Sequence, residues 1–188
     1  MDINDKLLAY YNSKQYSRTL GRYSASDVYK IKKGYLNSKN FFKIEQLDMK
    51  GLKNIWRGIG LEDKLLKDFY EMGIPMERNE QGGQIKIEYK INDEITLVMK
   101  PDFVLEKFVL ETKSPNKIYD EIPPWYKYQC EIQYRLLNKP VYLTIINIYD
   151  NDDPLLIPIK YEPNEELWQE IQSLIVKFHE RLKKCQKQ

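Results

Sequence analysis

The chain has 188 residues, 42% hydrophobic and 31% charged, enough for one domain with a sizeable core. Its net charge is +2, so binding to nucleic acid cannot be argued from the total and has to come from local clustering. Two cysteines, Cys130 and Cys185, are too few for a disulfide framework or a four-cysteine metal site, and a single histidine, His179, excludes a histidine-rich one. Any metal is therefore expected on oxygen ligands, which favours magnesium, manganese or calcium. No apolar run is long enough to cross a membrane, and the polar start Met1-Asp2-Ile3-Asn4-Asp5-Lys6 is no signal peptide. A cytoplasmic protein with no membrane partner is expected.

In chain order, residues 3–13 carry Leu7, Leu8, Tyr10 and Tyr11 at spacings that suit a short helix. Gly21-Arg22-Tyr23 breaks it, and Ser24 with Asp27 three residues later reads as a new helix start. The next stretch interleaves Lys30, Lys32, Lys33, Lys39 and Lys43 with Tyr29, Tyr35, Phe41 and Phe42. Such a mixture suits a nucleic-acid strand, with phosphates on lysines and bases on rings. It equally suits a helix with lysines in water and aromatics in the core.

Residues 53–72 read as the clearest helix, with Ile55, Ile59, Leu66 and Phe69 on one stripe and Glu62 inside it. A carboxylate on a buried face is costly unless it is paired or binds a cation; at the stripe's edge it reaches water along its own stem. Gly73 ends this helix, and Gln81-Gly82-Gly83 is a turn. Strands are expected over 84–90, 95–105 and 108–113, and then a loop that ends in Pro123-Pro124. Residues 125–138 form a helix buried on more than one side, with Gln129 and Gln133 one turn apart; buried glutamines need partners. Strands over 140–149 and 155–161 flank a turn at Asp150–Pro154, and an amphipathic helix over 163–185 closes the order, with His179 beside its stripe as a structural or surface residue. Arg181, Lys183, Lys184 and Lys187 make its end a basic tail. The pattern predicts an α/β fold: a single domain with one mixed central β-sheet flanked by helices.

The stretch from Met99 to Lys113 organises this picture. Alternation on both arms with Glu106-Lys107 at the tip predicts a hairpin in which Val104 faces Val109, Phe103 faces Leu110 and Asp102 faces Glu111. Period two puts Asp102, Glu111 and Lys113 on one face. Two carboxylates that close repel each other unless something positive lies between them, and a divalent cation on oxygen ligands would serve. The alternative is a solvated face with scattered charges.

Pro101-Asp102 followed, after eight residues, by Glu111-Thr112-Lys113 resembles the signature of the PD-(D/E)xK nuclease superfamily. Gly58-Ile59-Gly60-Leu61-Glu62 looks like the G-x-x-x-E helix motif upstream of its core, and Glu111-Thr112-Lys113-Ser114-Pro115 is close to the E-x-K-x-P of lambda-exonuclease-like members. Tyr128-Gln129-Cys130-Glu131-Ile132-Gln133-Tyr134 resembles the Gln/Tyr helix motif of the lambda-type and RecB-like branches. It aligns in two registers, one using Gln129 and Gln133, the other Gln133 and Tyr134. Tyr23-Ser24-Ala25-Ser26-Asp27 is similar to the start of RecB-like and CRISPR-associated nucleases. The four cysteines of the CRISPR-associated members are lacking, so no iron–sulfur cluster is expected.

The resemblance implies a restriction-endonuclease-like core over 53–161, a helical part over 1–52 and a C-terminal helix over 162–188. It implies that Asp102, Glu111 and Glu62, with the Thr112 carbonyl, hold one or two Mg²⁺ or Mn²⁺ ions. Lys113 would orient the attacking water or stabilise the transition state. Gln129 or Gln133 and Tyr134 would position the metal water or the phosphate. Tyr23, Ser24, Lys30, Lys32 and Lys33 would guide the strand. The function implied is a metal-dependent deoxyribonuclease, prokaryotic or viral, acting on single-stranded DNA or free ends. The alternative is a non-catalytic nucleic-acid-binding or assembly protein on the same fold. No interface is readable, and the sequence leaves the oligomeric state open.

Overall fold

The strand expected over residues 95–105 breaks at Pro101, and the break divides the β structure into two sheets instead of one. A computed structural model describes residues 2–15, 17–115, 118–148 and 154–186. The expected turn residues Asp150, Asn151, Asp152 and Asp153, and Lys187 of the tail, lie outside the described residues. The elements in order are α1 (Ile3–Ser13), β1 (Arg22–Ser24), a 3-10 turn (Ala25–Asp27), α2 (Val28–Lys32), α3 (Met49–Glu71), β2 (Met76–Glu77), β3 (Ile87–Lys90) and β4 (Thr96–Met99). After the break come β5 (Phe103–Leu105), β6 (Val109–Lys113), α4 (Pro124–Leu137), β7 (Val141–Ile146), β8 (Leu156–Lys160) and α5 (Glu165–Gln186).

One sheet has the order β1-β4-β3 and the other β2-β5-β6-β7-β8. Proline has no amide to donate and a fixed φ, so the ladder of β4 cannot run through residue 101. The chain leaves the first sheet at Met99 and enters the second at Phe103. The β5–β6 hairpin takes the expected register, Phe103 opposite Leu110 and Val104 opposite Val109. β6 and β7 are parallel, which requires a crossover, and α4 supplies it. Pro124 starts α4, where a missing amide costs nothing, and Asn138 at φ 50° ends it. This is a mixed α/β single domain with helices packed on its sheets.

Period two divides the five-stranded sheet cleanly. Phe103, Leu105, Leu110 and Ile146 pack with Leu65 and Phe69 of α3. Val104, Val109, Leu143 and Ile145 pack on the other side with Cys130 of α4. α4 also presents Tyr128 and Ile132 to a third cluster, made with Tyr23, Leu97 and the α5 stripe Ile171, Ile175, Phe178 and Leu182. It is thus wedged between the two sheets, which is why it is apolar on more than one side.

α3 departs from the expected stripe. Leu52, Leu65 and Phe69 are buried, whereas Ile59 is 46% exposed. One face of the middle of the helix is open: side chains built at Gly58 and Gly60 would meet nothing within 4 Å, while Leu61 on another face packs with the Leu65 cluster. Asp48 caps its first turn by accepting from the Gly51 amide at 2.7 Å. Gly73 at φ 69° closes the other end, with Ile74 N–H donating to Phe69 O at 2.9 Å.

Candidate active site

Asp102, Glu111 and Lys113 lie at the place where the chain passes between the sheets, and they share the face that looks at α4. Each acid is held by donors from elsewhere. Asp102 Oδ2 accepts from the Thr112 amide at 2.8 Å and from Thr112 Oγ1 at 2.9 Å. Its Oδ1 accepts from Gln84 Nε2 at 3.0 Å, and Arg78 Nη1 donates to its backbone oxygen at 3.3 Å. Glu111, only 1% exposed, accepts from Gln129 Nε2 at 2.6 Å on one oxygen and from Gln133 Nε2 at 2.5 Å on the other. Lys113 Nζ also donates to Glu111 and stands 5.5 Å over the Tyr126 ring.

The electrostatics are strained. Burial, then the Asp102 charge, pushes Glu111 above the ordinary carboxylate range, and Lys113 and Gln133 pull against that rise. Glu62, on the turn of α3 before Leu65, feels the same field. Burial and the charges of Asp102 and Glu111 push it to about 7, against the pull of Lys113. Burial lowers Lys113, but Glu111 and Asp102 more than offset this and hold the ammonium above its usual value. Three acids surround one lysine, a surplus of negative charge in a poorly solvated place.

Such a surplus suits a hard divalent cation, because the donors are carboxylate oxygens and added positive charge would relieve their repulsion. Among the described residues the three acids do not have ligating oxygens within 4.8 Å of one another, and Glu111 has both oxygens engaged. A bound cation would take the place of the Lys113 ammonium on Glu111; the two glutamines can stay, one on each oxygen, because each carboxylate oxygen has a second lone pair. The donor set fits the ion; the present Lys113 contact competes with it.

The other expected residues fall into two groups. Gln129 and Gln133 both reach Glu111, so of the two registers weighed for this helix, that pair faces the acids. Tyr134 does not: it packs in the α4–β7 core, with the Arg135 guanidinium 5.9 Å from its ring. One residue along a helix turns it about 100° away from Gln133. Tyr23 is buried, its hydroxyl 2.9 Å from His179 Nδ1, so its ring is core and not strand contact; His179 is buried beside it and not at the surface. Ser24 is exposed and meets Ser26 Oγ at 2.9 Å instead of capping a helix. Lys32 pairs with Glu170 at 2.6 Å, and Lys33 stands 5.6 Å over the Tyr29 ring.

Lys30 lines a cleft of about 750 Å³ together with Arg18, Arg22, Ser24, Lys86 and Lys100, and Gln129 reaches it from the acids. Gln84, Arg78, Arg18 and Arg22 escaped the sequence reading, because their partners lie far along the chain and no local spacing announces them.

No protein-family model matches the chain, and no curated protein matches its sequence. Solved structures do match its fold. The alkaline exonuclease LHK-Exo from Laribacter hongkongensis has a TM-score of 0.61 at 16% identity, covering 95% of this chain and 92% of that one. Its complex with dAMP has a TM-score of 0.60 at 17% identity, with the same coverage. A protein described as SSO0001 has a TM-score of 0.61 at 15% identity, covering 95% of this chain and 86% of that one. The architecture is therefore one that an exonuclease also uses.

Proposed function

We propose that this chain is a divalent-metal-dependent nuclease of the PD-(D/E)xK type, cutting DNA phosphodiester bonds on single strands or at free ends. The observation that carries the reading is the cluster of Glu62, Asp102, Glu111 and Lys113, drawn from α3, the sheet junction and β6, with its unrelieved negative charge. The cleft supports it, since Arg18, Arg22, Lys30, Lys86 and Lys100 outnumber Asp27 and Glu45, which also line it, and the groove ends at a glutamine on the same cluster. LHK-Exo, with the same fold, is an exonuclease and has been crystallised with dAMP, a ligand of the same chemistry.

A bound Mg²⁺ or Mn²⁺ would supply a water of lowered pKa and neutralise charge on the phosphate oxygens. Asp102, Glu111 and Glu62 would hold it, with the Thr112 carbonyl as a further ligand. Thr112 and Gln84 fix the Asp102 carboxylate in one orientation. Gln129 and Gln133 do the same for Glu111, as partners behind a metal ligand do. Lys113 keeps its proton beside the acids and presents fixed positive charge to the transition state.

A second reading, a nucleic-acid-binding protein without chemistry, is favoured by one observation: Glu111 already spends both oxygens on protein donors. One experiment separates the two. Circular and linear single- and double-stranded DNA are incubated with Mg²⁺, Mn²⁺ or EDTA, using wild type, Asp102→Ala and Lys113→Ala. Metal-dependent cutting lost in both variants supports the nuclease, and the circular substrates separate internal from terminal cutting. Binding by all three proteins without cutting under any metal supports the second reading.

A further inference from the structure

On the far side of Tyr23 from the cleft, three side chains from two distant elements converge. Glu94 comes from the β3–β4 turn, and His179 and Glu180 from α5. One ligand atom from each lies within 4.8 Å of the others. His179 is 3% exposed, yet its Nε2 makes no hydrogen bond and points into this group, with Glu94 Oε2 3.4 Å away. This nitrogen is one of five buried side-chain polar atoms without a hydrogen bond among the described residues, and the only group it faces closely is the Glu94 carboxylate, an ion pair when the ring is protonated.

The surroundings are built to hold it there. Tyr23 Oη is 2.9 Å from Nδ1 and fixes the ring; if Nδ1 carries the proton and donates to it, the Nε2 lone pair is free. The turn that carries Glu94 is pressed on Gly21, where a Cβ would come within 2.4 Å of the Glu94 backbone oxygen. Gly21 stands at φ 82°, and its oxygen accepts from the Thr96 amide at 2.7 Å. The half-buried Lys183 bonds both Glu94 oxygens, at 2.9 and 2.8 Å, and can swing into water.

We infer that Glu94, His179 and Glu180 form a second metal site, separate from the candidate active site, whose ion is zinc or a similar borderline divalent cation. One imidazole and two carboxylates with room for water is a donor set that zinc accepts, whereas magnesium prefers oxygen alone. The ion replaces Lys183 on Glu94 and ties the β3–β4 turn to α5. Through Tyr23 it steadies β1, whose Arg22 and Ser24 line the cleft. The inference stands whether or not the chain cuts DNA.

The test uses the full chain carrying Glu62→Gln, Asp102→Asn, Glu111→Gln and Cys185→Ser, which removes the active-site acids and the exposed thiol as competitors. Zinc is titrated by calorimetry in excess Mg²⁺, and Co²⁺ is titrated as a spectroscopic probe. Zinc binding at about one ion per chain is expected, weakened at least about tenfold by Glu94→Gln or Glu180→Gln and by Tyr23→Phe. Lys183→Ala is expected to tighten it, because a competing cation is gone. Glu94, Glu180 and Lys183 are at the surface, so these variants fold even if changes at His179 do not. Zinc binding indifferent to Glu94→Gln and Glu180→Gln overturns the site, as does no binding by either the parent or Lys183→Ala. Binding by Lys183→Ala alone overturns it too, since the lysine then holds the place of the ion.

Discussion

Glu111 and Glu131 are both shut away from water, at 1% and 0% exposure, and they differ in everything else. Glu131 accepts from Arg135 Nε at 2.6 Å, from the Tyr161 hydroxyl and from the Asn164 amide at 2.9 Å. Its charge is matched, and it ties α4 to the end of β8 and the start of α5. Glu111 has as many donors but faces Asp102 and feels Glu62. The contrast teaches that burial alone does not mark a reactive carboxylate. A matched acid is a fastening; an acid buried beside other acids is a place that gains from a cation.

The sharpest way to break this contrast is to remove the unmatched acid. Glu111→Gln, which removes the charge and keeps an acceptor oxygen for the surrounding donors, is expected to lower metal-dependent cleavage by at least about 10²–10³-fold, while leaving the melting temperature near that of wild type. Steady-state rates and a thermal melt measured together check this. A variant that melts early without a matching loss of activity would make Glu111 a fastening as well. Glu131→Ala is expected to do the opposite. It strands Tyr161 and the Asn164 amide and leaves Arg135 with Glu165, a cost of about 3 kcal/mol. At this chain length that is a fall in Tm of about 6–12 °C, with the rate per folded molecule retained.

Finer variants sharpen the comparison. Gln133→Ala removes a donor that orients Glu111 and is expected to weaken metal-supported activity about 10–100-fold, chiefly through the metal concentration needed. A titration of rate against Mn²⁺ reads this directly.

The smallest effect tests the field itself. Glu62 has a folded pKa of about 7 against an ordinary 4.5, so the folded state holds a proton that the unfolded state gives up between those values. The metal-free protein therefore loses stability as pH rises from 4.5 to 7, and the deficit is full above 7. Glu62→Gln should remove that loss. Glu62 is partly exposed, so solvent screens the effect to about 1 kcal/mol, or a gain in Tm of about 2–4 °C at pH 8 and almost none near pH 4. Added Mg²⁺ should give wild type a similar gain at pH 8.

The hairpin was readable from sequence because period two leaves no freedom once the tip is placed. A one-residue slip would have put Val104 and Val109 on the α3 side and the acids in a different core. The two-sheet division was not readable. Apolar residues alternate straight across Pro101, and only the missing amide tells one strand from two. β1 and β2 are too short to show any period. The α3 stripe was misplaced by its middle, where Ile59 fits the spacing but no partner covers it. Glu62 fits that stripe, and the charges of Asp102 and Glu111 act on it, although the buried residues of the helix are Leu52, Leu65 and Phe69. Tyr23, given to the strand by the resemblance alone, shows the reverse error, since an aromatic is a stacking surface only if it faces water and this one is buried. Glu131 was invisible because a charged residue in a helix reads as solvent-facing until its partners, more than thirty residues away, are brought to it.

The bond from the Thr112 amide to Asp102 has a use of its own. Most amides inside a sheet are sealed by a neighbouring strand and exchange with deuterium only when the ladder opens. This one is sealed by a side chain. Whatever draws the Asp102 carboxylate away, be it protonation, an ion or a bound phosphate, unseals a single backbone proton next to the candidate ligands. In a heteronuclear spectrum the Thr112 cross-peak is thus a reporter, installed by the fold itself, on what Asp102 is holding.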